Sequence, residues 1–128
     1  MPAGDRAVTV TEFLDSIGRL DFDAVGRILA DDAVAVYPFI DGLPPVQGKD
    51  AIVEQLSATI PQLFERMNFT VDHCHATVDD DVLIAEYHSE CPRVGGGTYT
   101  NTYIAVFGFA GNRISLYKEY MNPSKIGT

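Results

Sequence analysis

Apolar residues recur at helical spacing early in the chain and alternate with polar ones later. Phe13, Leu14, Ile17 and Leu20 form one stripe, and Phe22, Val25, Ile28 and Leu29 a second. Thr9 or Thr11 is expected to cap the first helix, with Glu12 in its first turn, and Asp21 to cap the second. The stretch from Gly18 to Asp23 reads as a short corner, and Asp31 and Asp32 as the close of the second helix. Residues 33–39, Ala-Val-Ala-Val-Tyr-Pro-Phe, predict a strand that Pro38 ends or confines to a sheet edge. Ile40 to Gly48, rich in Gly and Pro, reads as a loop. Asp50 then caps a third helix carrying Ile52, Val53, Leu56, Ile60, Leu63 and Phe64, which Pro61 should kink or break.

The rest of the chain predicts strands at about 68–78, 82–91, 98–110 and 113–122. Asp79-Asp80-Asp81 and Gly111-Asn112 have the chemistry of tight hairpin turns, and Gly95-Gly96-Gly97 that of a flexible one. Helices followed by strands give an α+β fold. The expected form is a cone-shaped, strongly curved antiparallel sheet capped by three N-terminal helices. It is read as a single domain over 1–128 with its ordered core at roughly 8–122.

Composition narrows the classes of partner. A length of 128 residues suits one compact domain. Nine Lys+Arg stand against 18 Asp+Glu, for a net charge of -9. Such a chain repels phosphate backbones and anionic lipid, so nucleic-acid and membrane-surface roles are not expected. The first ten residues lack the pattern of a signal peptide, and no apolar run reaches membrane-spanning length. Cys74 and Cys91 form no Cys-x-x-Cys motif. Free thiols in a reducing, cytoplasmic setting are the expectation, with a Cys74–Cys91 bridge between neighbouring strands left open.

Strand alternation sorts the candidate chemistry. Tyr117, Glu119 and Met121 share one face of the last strand, and Leu116, Lys118 and Tyr120 the other. A carboxyl facing an apolar pocket has a raised pKa and can act as general acid or base. The alternation alone equally allows a surface carboxylate with Leu116 and Tyr120 inward. Glu86, His88 and Glu90 share a face, opposite Leu83, Ala85, Tyr87 and Ser89. Three ligands from one strand diverge, so a solvent- or subunit-facing polar stripe is expected rather than a metal site. His73 and His75 fall on one face with Val71 and Thr77. They read as wet or subunit-facing, unless the apolar Cys74 side lies outward and a histidine enters the cavity. Tyr99, Asn101, Tyr103, Ala105 and Phe107 form an aromatic wall that would suit a flat ligand or simply fill a core. No phosphate loop, nucleophile motif or cofactor fingerprint is present, and neither cofactor nor metal is expected.

Three segments carry a family resemblance. Asp21-Phe22-Asp23 through Leu29-Ala30-Asp31-Asp32-Ala33 is one, and Leu43-Pro44-Pro45-Val46-Gln47-Gly48-Lys49-Asp50-Ala51-Ile52 is another. The third is Arg113 to Asn122, ending Lys118-Glu119-Tyr120-Met121-Asn122-Pro123. Together they resemble the nuclear transport factor 2-like domains, and within them the SnoaL-like polyketide cyclases, the small phenazine-biosynthesis proteins and limonene-epoxide hydrolase. The resemblance implies a pocket inside the cone, with Glu119 facing it.

Against ketosteroid isomerase, the polar positions fall on Phe13, Tyr37 and Ala105, and all three of its groups are missing. Against limonene-epoxide hydrolase, the late Asp matches Glu119, while the other Asp and the Arg fall on Tyr87 and Ser89. Against the phenazine proteins, the acid is kept at Glu119 and the pocket His falls on Gln55. The resemblance thus implies a cofactor-independent acid–base enzyme of specialised metabolism, of isomerase, cyclase or dehydratase type, ahead of epoxide hydrolysis. Glu119 and Tyr37 are its catalytic candidates. Phe13, Phe39, Gln55, Tyr87, Ser89, Asn101, Tyr103 and Tyr117 would bind a small hydrophobic or aromatic metabolite. The alternative is a non-catalytic binding or scaffolding protein of the same fold. A homodimer is expected, because the outer sheet face would otherwise expose apolar side chains.

Overall fold

Four long strands occupy the second half of the chain, where apolar and polar residues alternate. The computed structural model describes residues 3–126. Its elements are α1 (Ala3–Gly18), α2 (Phe22–Ile28), β1 (Leu29–Val36), β2 (Val46–Gln47) and α3 (Lys49–Leu63). They are followed by β3 (Asn68–Ala76), β4 (Val82–Pro92), β5 (Thr98–Ala110), β6 (Arg113–Met121) and a 3-10 turn (Pro123–Lys125). Three helices thus cover a six-stranded sheet of order β2-β1-β6-β5-β4-β3, an α+β arrangement. No helix among the described residues is long and apolar enough to cross a membrane.

The sheet is mixed rather than wholly antiparallel. β3 to β6 form an antiparallel meander through the expected short turns, but β1 lies parallel to β6. Residues 37–112 separate those two strands, so no tight turn dictates their relative direction. β2 pairs antiparallel with β1 at the sheet edge, inside the segment expected to be loop.

The helix boundaries also move. α1 begins at Ala3, so Thr9 and Thr11 are internal; their hydroxyls donate to the carbonyls of Asp5 and Ala7. Asp21 does cap α2, accepting from the Ala24 N–H at 3.1 Å. α2 stops at Ile28, however, and Asp31 and Asp32 belong to β1. A register shift between Leu29 and Val34 lets these adjacent acids both face solvent. The third helix is capped by Gly48, at φ 96°, and not by Asp50, which lies in its first turn. Pro61 is tolerated because the helix ends soon after it, at Leu63.

A bulge between Val71 and His73 changes the phase of β3. Val71 stands opposite Tyr87 and packs on the core, whereas His73 and His75 are exposed on the outer face. The expected sharing of one face by Val71 and the histidines is therefore incorrect. The main core lies between the inner sheet face and the helices, where Phe13, Leu14, Ile17, Leu29, Ile52, Phe107 and Ile114 are fully or almost fully buried.

Candidate active site

Beside the core, the sheet and α3 leave a cavity of about 360 Å³. This lies within the usual range for small-molecule sites. Its wall is mostly apolar and aromatic, including Phe64, Phe69, Tyr99, Tyr103 and Tyr117, with Met67 and Met121 between. Among the described residues Glu119 is its one acidic lining residue and Arg93 its one basic one.

Glu119 arrives there through strand alternation. β6 buries Tyr117, Glu119 and Met121 on one face, while Lys118 and Tyr120 lie opposite and are only partly covered. Glu119 is 6% exposed. The phenols of Tyr87 and Tyr117 both donate to its Oε2. Among the described residues none donates to Oε1, which leaves that oxygen available to a ligand. Burial raises the Glu119 pKa above the usual carboxylate range, and the two phenolic hydrogen bonds oppose the rise.

Burial pushes the phenols of Tyr37, Tyr87 and Tyr117 upward too, and the charge of Glu119 adds to the shift. They therefore remain protonated donors near neutral pH. Tyr37 follows the end of β1, lines the cavity and meets Tyr117 edge-to-face at 5.9 Å. Tyr103 lines it as well, with its hydroxyl 2.7 Å from Ser89 Oγ.

The candidate residues separate into three groups. Glu119, Tyr37, Gln55, Tyr103 and Tyr117 line the cavity. Phe13, Tyr87, Ser89 and Asn101 are buried but do not line it. Phe13 packs edge-on against Phe107 and Tyr117. Tyr87 stacks on Tyr103 at 4.8 Å and reaches the cavity only through its bond to Glu119. Asn101 donates to Tyr99 Oη and to the Asn122 carbonyl, and accepts from the Asn122 N–H, tying down the chain after β6. Phe39 lies away from the cavity, 53% exposed, with its ring against Tyr120 on the outside.

Gln55 contributes a different feature. Its Oε1 is buried and has no hydrogen-bond partner among the described residues. Buried acceptors are normally satisfied, so a donor on a ligand would complete this one. Tyr99 lines the cavity as part of the expected aromatic wall, whereas Arg93 and Thr59 are polar lining residues that the sequence did not single out. The approach of Arg93 depends on the β4–β5 turn and has no local pattern. The exposed pairs His75–Glu86, at 2.5 Å, and His88–Asp72, at 2.8 Å, lie outside the cavity. No group of three or more metal-ligating side chains occurs among the described residues. Cys74 and Cys91 are free thiols.

The model of the SnoaL-like domain matches residues 10–117, so the chain belongs to the SnoaL-like family. It is 25% identical over 118 residues to the uncharacterised protein YesE of Bacillus subtilis, spanning 90% of this chain and 80% of that protein. A candidate isomerase from Bacillus subtilis superposes with a TM-score of 0.87 at 24% identity, over 98% of this chain and 93% of that one. A phenazine biosynthesis-related protein from Pseudomonas aeruginosa gives 0.81 at 17% identity, over 96% and 82%. These likenesses establish the fold and leave the chemistry to the site.

Proposed function

We propose that the protein is a cofactor-independent enzyme that moves a proton on a small hydrophobic metabolite, in an isomerisation, cyclisation or dehydration. One observation carries this reading: a buried carboxyl in an aromatic cavity, with Oε2 clamped by two phenols and Oε1 unoccupied. Glu119 Oε1 is the acid or base. Clamping one oxygen fixes the direction of the other, and burial brings its pKa toward neutral conditions. Tyr37 is the donor that steadies a developing oxyanion.

Proton transfer at carbon can be followed before the natural substrate is known. The protein is incubated in D2O with bicyclic ketones, and deuterium incorporation is read by mass spectrometry. Wild type should accelerate exchange, Glu119→Gln should lose roughly 10²–10⁴-fold, and Tyr37→Phe should lose less. Exchange undiminished in Glu119→Gln would remove that residue from the mechanism. The lack of a second carboxylate among the described wall residues favours one other reading, a binding protein that shapes its ligand without chemistry. Saturable binding of these ketones without exchange by wild type would support it.

A second copy of the chain is the partner this reading adds. The outer sheet face presents Ile84, Ile104, Val106 and Tyr120, with Ile104 46% exposed. Sedimentation should give a dimer at micromolar concentration. The two free thiols fit a reducing cytoplasmic setting.

A further inference from the structure

Among the described residues Arg93 is the one positive charge on the cavity wall, and none of them pairs an acid with it. None of the salt bridges among the described residues involves it. This is unexpected in a chain with 18 acidic residues against nine basic ones. Its guanidinium instead lies over the ring of Tyr99, 5.3 Å from the centroid, and Tyr99 also lines the cavity.

The backbone around Arg93 is pinned. Its N–H donates to the Gly97 carbonyl at 2.9 Å, in a turn where Gly97 takes φ 87°. Arg93 forms a β-bridge with Phe64 at the end of α3, and the neighbouring Val94 N–H donates to the Leu63 carbonyl at 3.0 Å. The side chain therefore leaves from a fixed junction between the end of β4 and the end of α3. Leu63, 51% exposed, marks that junction as the outer rim of the cavity. Glu119 lies farther in. Its neighbour in the register is Ala105, six residues along β5 from Tyr99.

We propose that Arg93 is a carboxylate-binding subsite, and that the substrate is a hydrophobic, unsaturated or aromatic carboxylic acid. Its acid sits on Arg93 at the rim and its apolar body runs inward toward Glu119. The inference rests on reading the Glu119 cavity as the substrate site. The guanidinium lies over the Tyr99 ring and takes part in no salt bridge among the described residues, so its N–H donors are open to a carboxylate, which such a planar fork receives through two parallel hydrogen bonds. Charge fixes the orientation, because a carboxylate head is attracted to Arg93 and repelled by an ionised Glu119. The aromatic wall between them accepts a planar body.

Calorimetric titration with 2-naphthoate and its neutral analogue 2-naphthamide tests the assignment. Wild type should bind the acid roughly ten- to a hundredfold more tightly than the amide. Arg93→Gln should erase that preference, and Arg93→Lys should keep part of it, since charge remains while the fork is lost. Glu119→Gln should keep the preference in full. Equal binding of acid and amide by wild type, binding of neither, or an undiminished preference in Arg93→Gln would each overturn the proposal. Failure of the Glu119 reading looks different: deuterium exchange would survive Glu119→Gln while the acid preference still vanished in Arg93→Gln.

Discussion

The phenol of Tyr87 on β4 reaches across β5 to donate to Oε2 of Glu119 on β6. In the register, Ala105 stands directly between Glu119 and Ala85, and these two small side chains leave the space that the phenol crosses. Tyr117 donates to the same oxygen from two residues away on β6. The carboxyl is thus oriented by one local bond and one that spans the sheet.

Replacing Tyr87 by Phe should raise the Glu119 pKa further. Both phenols stabilise the ionised carboxyl, so losing either donor favours the protonated form. Tyr117→Phe should act in the same direction, and the double variant more strongly. The check is the titration midpoint of the Glu119 side-chain carboxyl followed by carbon NMR. A midpoint that moved down in Tyr87→Phe would contradict the geometry.

Glu119 should also leave a signature in stability. Its folded-state pKa is raised, chiefly by burial. The folded protein therefore holds the proton more tightly than the unfolded chain, whose midpoint is about 4.3. The contribution is fully present below that midpoint and is lost as pH rises through the folded value. Urea midpoints of wild type and Glu119→Gln, compared between pH 4 and 8, should diverge in favour of the glutamine variant as pH rises. A difference independent of pH would mean that the carboxyl titrates alike in both states.

Arg6 joins α1 to two distant hairpins. It is 4% exposed and hydrogen-bonds the carbonyls of Asp80 and Gly111 and the carboxylate of Asp81, with its guanidinium over Phe109 at 4.8 Å. Arg6→Met should lower the unfolding free energy by roughly 1–3 kcal/mol, because it removes the charged donor of three hydrogen bonds and the contact with Phe109, while the acceptors, on exposed residues, can turn to water. Asp81→Asn should cost less than about 1 kcal/mol, since that side chain is 67% exposed. Denaturant titration of both variants separates the two effects.

Gly18 is needed where α1 passes β3. A Cβ there would overlap the Met67 carbonyl oxygen, and Met67 donates its N–H to the Gly18 carbonyl at 2.9 Å. Gly18→Ala should therefore destabilise the protein by roughly 1–3 kcal/mol, despite alanine's better helix propensity. A more stable variant in urea would show that the contact relaxes freely.

Features that depend on the backbone period or on neighbouring residues were legible in the chain itself. The shared side of Tyr117, Glu119 and Met121, the Asp21 cap and the hairpins at Asp79-Asp80-Asp81 and Gly111-Asn112 follow from alternation and local hydrogen bonding. The family resemblance resolved what alternation left open, namely which face of β6 is inside. Tertiary structure decided the rest. The parallel pairing of β1 with β6 joins segments with no short connection to constrain them, and the bulge before His73 shifts a strand that local alternation would keep in phase. Phe39 points away from the cavity because the chain turns after β1, and Arg93 reaches its rim because a glycine turn brings the end of β4 beside α3. Alternation fixes the side of a strand on which a residue lies. Its distance from residues on other strands depends on register, bulges and sheet curvature, and those are set by packing among segments far apart in sequence.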